Sequence, residues 1–309
     1  LLTGAPIARR DLAALFVAAL CWGLGTVISK AALDEIAPVS LLAIQLASSL
    51  VILTVLMRSQ GIPLRNGGHT PLGRLGILNP GISYALSLLG LVTISASLSV
   101  LLWALEPLLI LILAAVVLHE RLTAGLIGLS IVAVVGMVIV VYEPSAGTSQ
   151  LIGVGLTLAG VACCAVYSVI TRRFMPGATE TGQVVLAQQE YALVVALLLV
   201  LVVGLAGGGI VPTDVTPLGL LSAVGSGALY YAGAYWFYLD ALRRVPASVA
   251  AASFYLIPIV GVAAGALVLG ERLEPSQWVG ALLVLGAVLA IVTRVARPVS
   301  AQASARPAG

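Results

Sequence analysis

From Leu12 to Thr293 the chain is a succession of ten apolar runs, each close to the length of helix that crosses a bilayer. About 30 Å of hydrocarbon takes roughly 20 apolar residues in a helix. The runs cover 12–33, 39–57, 72–92, 96–118 and 122–142, then 150–171, 183–203, 218–239, 247–269 and 276–293. Hydrophobic residues make up 61% of the 309 positions and charged ones 9%, so most runs lack the polar face that a water-exposed helix keeps. Lipid is the expected solvent and helix the expected state, because a barrel would show alternation in segments of about ten residues.

Loop charge orients these runs. With the N-terminus on the cytoplasmic side, thirteen of the 15 basic residues fall in cytoplasmic loops or termini, and only Lys30 and Arg272 lie opposite. A nine- or eleven-helix count would put part of that pattern on the wrong side. Both termini are therefore expected in the cytoplasm. Arg9 and Arg10 precede a run long enough to span, which reads as a first crossing rather than a cleaved signal. The basic residues form no stripe, so nucleic acid is not an expected partner. Cys21, Cys163 and Cys164 lie inside apolar runs without zinc-ligand spacing and read as packing residues.

The two halves are duplicates. Ala96 to Leu122 aligns without a gap on Ala247 to Leu273 with 10 of 27 positions identical, pairing Pro107 with Pro258 and Glu120-Arg121-Leu122 with Glu271-Arg272-Leu273. Thr70-Pro71-Leu72-Gly73 recurs as Thr216-Pro217-Leu218-Gly219, and Tyr84 falls on Tyr230. Five runs per half is an odd number, so the second copy enters the membrane from the opposite side. The expected fold is all-α and integral to the membrane: ten transmembrane helices as two inverted five-helix repeats, 11–143 and 150–295, with a disordered tail over 296–309. Inverted repeats place a solute near the midplane, where one copy moves against the other.

At these residues the chain resembles the drug/metabolite transporter superfamily, in its EamA type. The marks are Trp22-Gly23 in a small-residue first helix, the prolines of helices four and nine, and the ends His119-Glu120-Arg121-Leu122 and Gly270-Glu271-Arg272-Leu273. His119 stands where the family carries a glycine. The likeness spans residues 11 to 295, and it is similar to metabolite exporters, including aromatic amino-acid exporters of the YddG kind. The resemblance implies export and a multi-pass protein of the bacterial inner membrane.

Candidate site residues follow from groups that are costly in lipid. Asn79-Pro80-Gly81 and the repeat-related Gly225-Ser226-Gly227 can open helices three and eight toward a cavity, although close packing also explains the glycine pair. Pro107 and Pro258 are expected to bend helices four and nine, as a gating pair or as plain kinks. Glu106 and Glu190 lie well inside apolar runs, and an intramembrane acid is a functional candidate. Glu106 shares a helical face with Ser99 and Trp103, and its repeat partner is Ile257. Tyr231 and Tyr235 lie deep in helix eight, whereas Trp236 to Tyr238 read as an interfacial belt. The expected substrate site is Trp22, Tyr84, Ser99, Trp103, Glu106, Tyr231, Tyr235 and Ser253.

An aromatic pocket with a few polar groups suits small amphipathic solutes, amino acids including aromatic ones among them. A lipid or drug translocator and a membrane scaffold of the same fold are the alternatives. An enzyme is not expected, since HExxH, GxSxG and Walker-type loops are absent. No catalytic residue, metal or cofactor is assigned. Expected partners are the solute and the bilayer, with homodimer and monomer equally open.

Overall fold

The computed structural model describes residues 8–64, 71–117, 124–142, 147–174, 181–209, 215–242, 244–245 and 253–304. Every regular element among them is helical. Helices α1 (Arg9–Ala32) and α2 (Pro38–Ser59) precede a broken third segment. That segment comprises α3 (Pro71–Arg74), a 3-10 turn (Leu75–Ile77), a π turn (Leu78–Ile82) and α4 (Ser83–Leu91). The fourth run divides into α5 (Ala96–Trp103) and α6 (Glu106–Val117), and α7 (Ala124–Val141) takes the fifth. The second half holds α8 (Thr148–Phe174), α9 (Thr181–Leu205), α10 (Pro217–Gly227), a π turn (Ala228–Gly233), α11 (Ala234–Leu242), α12 (Leu256–Val268) and α13 (Pro275–Ser304).

Among the described residues six helices are long and apolar enough to cross a membrane: Arg9–Ala32, Pro38–Ser59, Ala96–Leu113, Ala124–Val141, Thr148–Thr171 and Gly182–Leu205. The third and eighth runs are not among them, and Leu256–Val268 and Pro275–Ile291 are shorter apolar helices. The last helix continues through Ser304. Residues 296–304 are therefore helical where a disordered tail was expected; Ala296, Ala301 and Ala303 are strong helix formers.

Contacts between the runs repeat when the halves are exchanged. The third run packs on the sixth through α4 and α8, and the eighth packs on the first through α10, α11 and α1. The first meets the ninth (α1, α12) as the fourth meets the sixth (α6, α8). The second and seventh (α2, α9), fourth and ninth (α5, α12) and fifth and tenth (α7, α13) each pack on their own counterpart. Glycines let several of these pairs approach to backbone distance. A Cβ at Gly136 would stand 2.8 Å from the Gly280 carbonyl oxygen, and one at Gly23 would stand 2.7 Å from Val260. Gly261 and Gly265 are used within the chain, against Val100 and Ser97 of α5.

The breaks in the third and fourth runs, and in the ninth, have a common cause. Asn79 is extended (φ −143°, ψ 119°) ahead of Pro80, which has no N–H to donate to the preceding turn. Gly76 brings this stretch against α9, since any Cβ there would land on the Gln188 carbonyl oxygen. Pro107 and Pro258 each lie in the first turn of the helical piece that follows a break, with turns at 104–105 and 254–255. A proline ring clashes with the carbonyl four residues back, here those of Trp103 and Phe254, and the chain turns there. In the eighth run the irregular turn is Ala228–Gly233, after the glycine pair rather than at it. Gly227 serves instead as a packing glycine, its Cβ position 2.5 Å from the Gln45 carbonyl oxygen, and Gly225 has open space around it.

Candidate functional site

Backbone groups freed by irregular turns in an apolar interior need partners, and two adjacent glutamines on α9 supply them. Gln188 Nε2 donates to the Leu72 carbonyl at 3.1 Å while its Oε1 accepts from the Tyr167 hydroxyl at 2.9 Å. Gln189 Nε2 donates to the Tyr231 carbonyl at 3.0 Å, within the second π turn, and its Oε1 accepts from Ser49 at 2.7 Å. The seventh run thereby braces both broken segments. Glu190, next in line, is half-buried on the same helix.

The breaks frame a cavity of about 30 Å³. Its aromatic lining is one cluster: Tyr84 stacks on Trp103 with centroids 5.2 Å apart, and Tyr230 and Tyr231 each meet Tyr84 edge-on at 5.3 Å. The polar lining comes from Thr26 and Ser29 of α1, Gln45 of α2, Ser87 of α4 and Ser99 of α5, with Leu88 and Leu91 completing it. Gln45, 1% exposed, donates from Nε2 to Ser29 Oγ and Ser226 Oγ, both at 2.8 Å. Its Oε1 and the Ser87 hydroxyl are buried without a partner among the described residues. An orphaned polar atom of this kind costs about 1–3 kcal/mol, and such costs concentrate where a ligand or water is meant to enter.

The structure divides the expected site residues. Tyr84, Ser99, Trp103 and Tyr231 line the cavity together. Trp22 and Tyr235 form a second aromatic cluster, with Trp22 5.5 Å from Tyr235, 5.6 Å from Tyr238 and 5.4 Å from Phe254. Ser253 is buried at the break before α12. Glu106 lies outside the cavity lining and faces α8, where Cys164 Sγ and Ser168 Oγ donate to its carboxylate, each at 3.3 Å. The break at 104–105 is the reason: it turns α6 relative to α5, so residues 99, 103 and 106 no longer share a face. Thr26, Ser29, Gln45, Ser87 and Tyr230 are lining residues that the sequence reasoning passed over. Gln45 was detectable as a lone amide in an apolar run. Tyr230 was not, because only a π turn narrows the angular spacing that separates it from Tyr231 in an α-helix.

Polar and charged groups stitch both ends of the bundle. Where α1 finishes, Lys30 Nζ donates to the Leu91 and Val92 carbonyls at 2.8 and 3.1 Å. Glu271 accepts there from Ala96 N (2.7 Å), Ser97 N (2.9 Å) and Ser97 Oγ (2.6 Å), so an acid from the second half caps α5 in the first. Glu35 likewise accepts from Thr216 N and Oγ1, at 2.7 and 2.8 Å, ahead of α10. Where α1 begins, Arg244 bridges Asp11 at 2.7 Å and Asp240 at 2.6 Å, and both carboxylates favour its protonated form. The matching Glu120-Arg121-Leu122 and His119 lie outside the described residues.

Comparison with known proteins places this geometry among transporters. A family model described as the EamA-like transporter family matches twice, over residues 10–142 and 151–293. The chain is similar to the uncharacterized transporter YyaM of Bacillus subtilis (strain 168), 27% identical over 249 residues, covering 77% of this chain and 79% of that one. It is also similar to an uncharacterized transporter of Archaeoglobus fulgidus, 24% identical over 276 residues, covering 88% and 95%. A solved crystal structure shares the fold with a TM-score of 0.63 at 19% identity, covering 94% of this chain and 98% of the other.

Proposed function

The chain belongs to the EamA-like transporter family, a multi-pass membrane transporter and not an enzyme, and from that premise we propose that it exports small amphipathic metabolites, amino acids including aromatic ones, by alternating access of the central cavity. The carrying observation is the cavity itself. Residues of α1, α2, α4 and α5 from the first half and Tyr230 and Tyr231 from the second line it, with aromatic rings, hydroxyls and an amide among them. About 30 Å³ holds roughly two water molecules, so an organic solute enters only when the halves part. Bacterial inner membrane is the proposed location, and direction rests on the family resemblance.

The assay is uptake of labelled amino acids into proteoliposomes with and without a pH gradient. Saturable uptake of an aromatic amino acid above protein-free vesicles is expected. A second reading, a translocator of lipids or neutral drug-like solutes, is favoured by one observation: among the described residues no charged side chain lines the cavity. Lipophilic dyes crossing while no amino acid does would select it.

Two inverted five-helix repeats with both termini cytoplasmic form the proposed topology. Support comes from the double family match, the exchange-symmetric packing and the distribution of basic residues. Reporter fusions after Glu143 and after Glu180 should read outside and inside respectively. The opposite pair excludes the inverted arrangement.

A further inference from the structure

Two of the lining residues, Gln45 and Ser87, carry a buried oxygen without a partner among the described residues, and these bear on what a solute must present. Ser29 Oγ donates to the Gly25 carbonyl at 2.7 Å and Ser226 Oγ to the Ala223 carbonyl at 3.0 Å. Each hydroxyl has one hydrogen, so toward Gln45 both can only accept. That fixes the amide's orientation: Nε2 faces the two serines, and Oε1 is left as an acceptor with no donor among the described residues. Ser87 Oγ, on α4, is the other partnerless oxygen in the lining. The same cavity is lined by the Tyr84–Trp103 stack with Tyr230 and Tyr231 around it, and aromatic faces attract a cation within about 6 Å. No lysine, arginine or histidine among the described residues lines the cavity to balance an anion.

We propose that Gln45 is the residue that selects the solute, taking an amine or ammonium group on its Oε1 with Ser87 beside it, and that the cavity reads this amino end rather than a carboxylate. The proposal rests on the reading of the cavity as the transport site and narrows its substrate class to donor-bearing aromatic amines and amino acids. A carboxylate meets only hydroxyls there, and it is tolerated without being recognised.

Three indoles that differ only in their ends test this: tryptamine, tryptophan and indole-3-propionate. Each is measured for binding to the detergent-solubilised protein by its effect on melting temperature, and for flux in proteoliposomes, with wild type, Gln45→Met and Gln45→Glu. Tryptamine and tryptophan are expected to bind, and indole-3-propionate to bind at least about tenfold more weakly, the scale of one buried charge-assisted hydrogen bond. Gln45→Met should lose about tenfold for tryptamine. Gln45→Glu keeps an acceptor oxygen at the Oε1 position and should retain tryptamine. Equal binding of indole-3-propionate and tryptamine to wild type overturns the proposal whatever the variants do, and leaves the transport reading standing. Tryptamine unaffected in a folded Gln45→Met protein also overturns it. Should none of the three bind or cross, the proposal and the aromatic amino-acid reading fall together.

Discussion

Gly153→Leu is expected to abolish most of the folded protein, and Gly155→Leu, two residues along the same helix, to leave it intact. A Cβ at Gly153 would meet the Thr93 hydroxyl, the Gly90 carbonyl oxygen at 2.8 Å and Ile94 at 2.9 Å. A Cβ at Gly90 would in turn stand 2.6 Å from the Gly153 carbonyl oxygen, so the approach of α4 and α8 is backbone to backbone and has no flexible side chain to yield. Overpacking in a tight core costs about 1–3 kcal/mol and more when the backbone must shift. Here it would also separate two helices whose association depends on close van der Waals contact, lipid offering no hydrophobic alternative. Gly155 has nothing within 4 Å of its Cβ position, and leucine there should add roughly 0.8 kcal/mol of helix propensity. Size-exclusion profiles and melting temperatures of the two variants measure the contrast. Equal behaviour would show that α4 and α8 do not cross at Gly90 and Gly153.

The second large effect is expected at Glu106. Glu106→Gln should remove the dependence of transport on pH while expression and melting temperature stay near wild type. The acid is held by a thiol and a hydroxyl, each at 3.3 Å, and a hydroxyl bond of that length is weak. Glutamine keeps the shape and still accepts from Cys164 and Ser168, so the fold loses little. The charge is another matter, because the described residues place no cation beside it and an intramembrane acid without one is suited to exchanging protons. Flux measured across a range of pH separates two roles. A flattened profile marks proton coupling, whereas a uniform fall marks a part in holding the solute. An unchanged rate and profile would make Glu106 a bystander and shift attention to Glu190.

Much of the cavity lining was legible in the sequence, and the misses have two causes. Tyr84, Ser99, Trp103 and Tyr231 came from depth within apolar runs and from repeat position, quantities that survive a bent helix. Glu106 was placed from a shared face with Ser99 and Trp103, which assumes an unbroken helix across Ala104 and Leu105. Gln45, Ser29 and Ser87 carry a burial cost of the same origin as an acid's but smaller, and that cost does not set them apart from the other amides and hydroxyls of the apolar runs. Gln188 and Gln189 stood in view beside Glu190, but their task of satisfying Leu72 and Tyr231 exists only once those turns are irregular.

Apolar length, loop charge and the duplication within 309 residues were enough to establish a helical membrane protein and its family, because each is a property of the chain against its solvent, and a bilayer admits few answers. Which groups meet inside was left to the tertiary structure. Proline and glycine say that a helix can break, and the packing of α9 against both broken segments decides where it does and by how much the following turn rotates. Rotation in the third and eighth runs brings Tyr230 and Tyr231 together onto Tyr84, and the separate break before Pro107 carries Glu106 away to Cys164 and Ser168. Angular register accumulates along a chain and is reset at every irregular turn, so it is fixed by contacts between runs rather than by spacing within them.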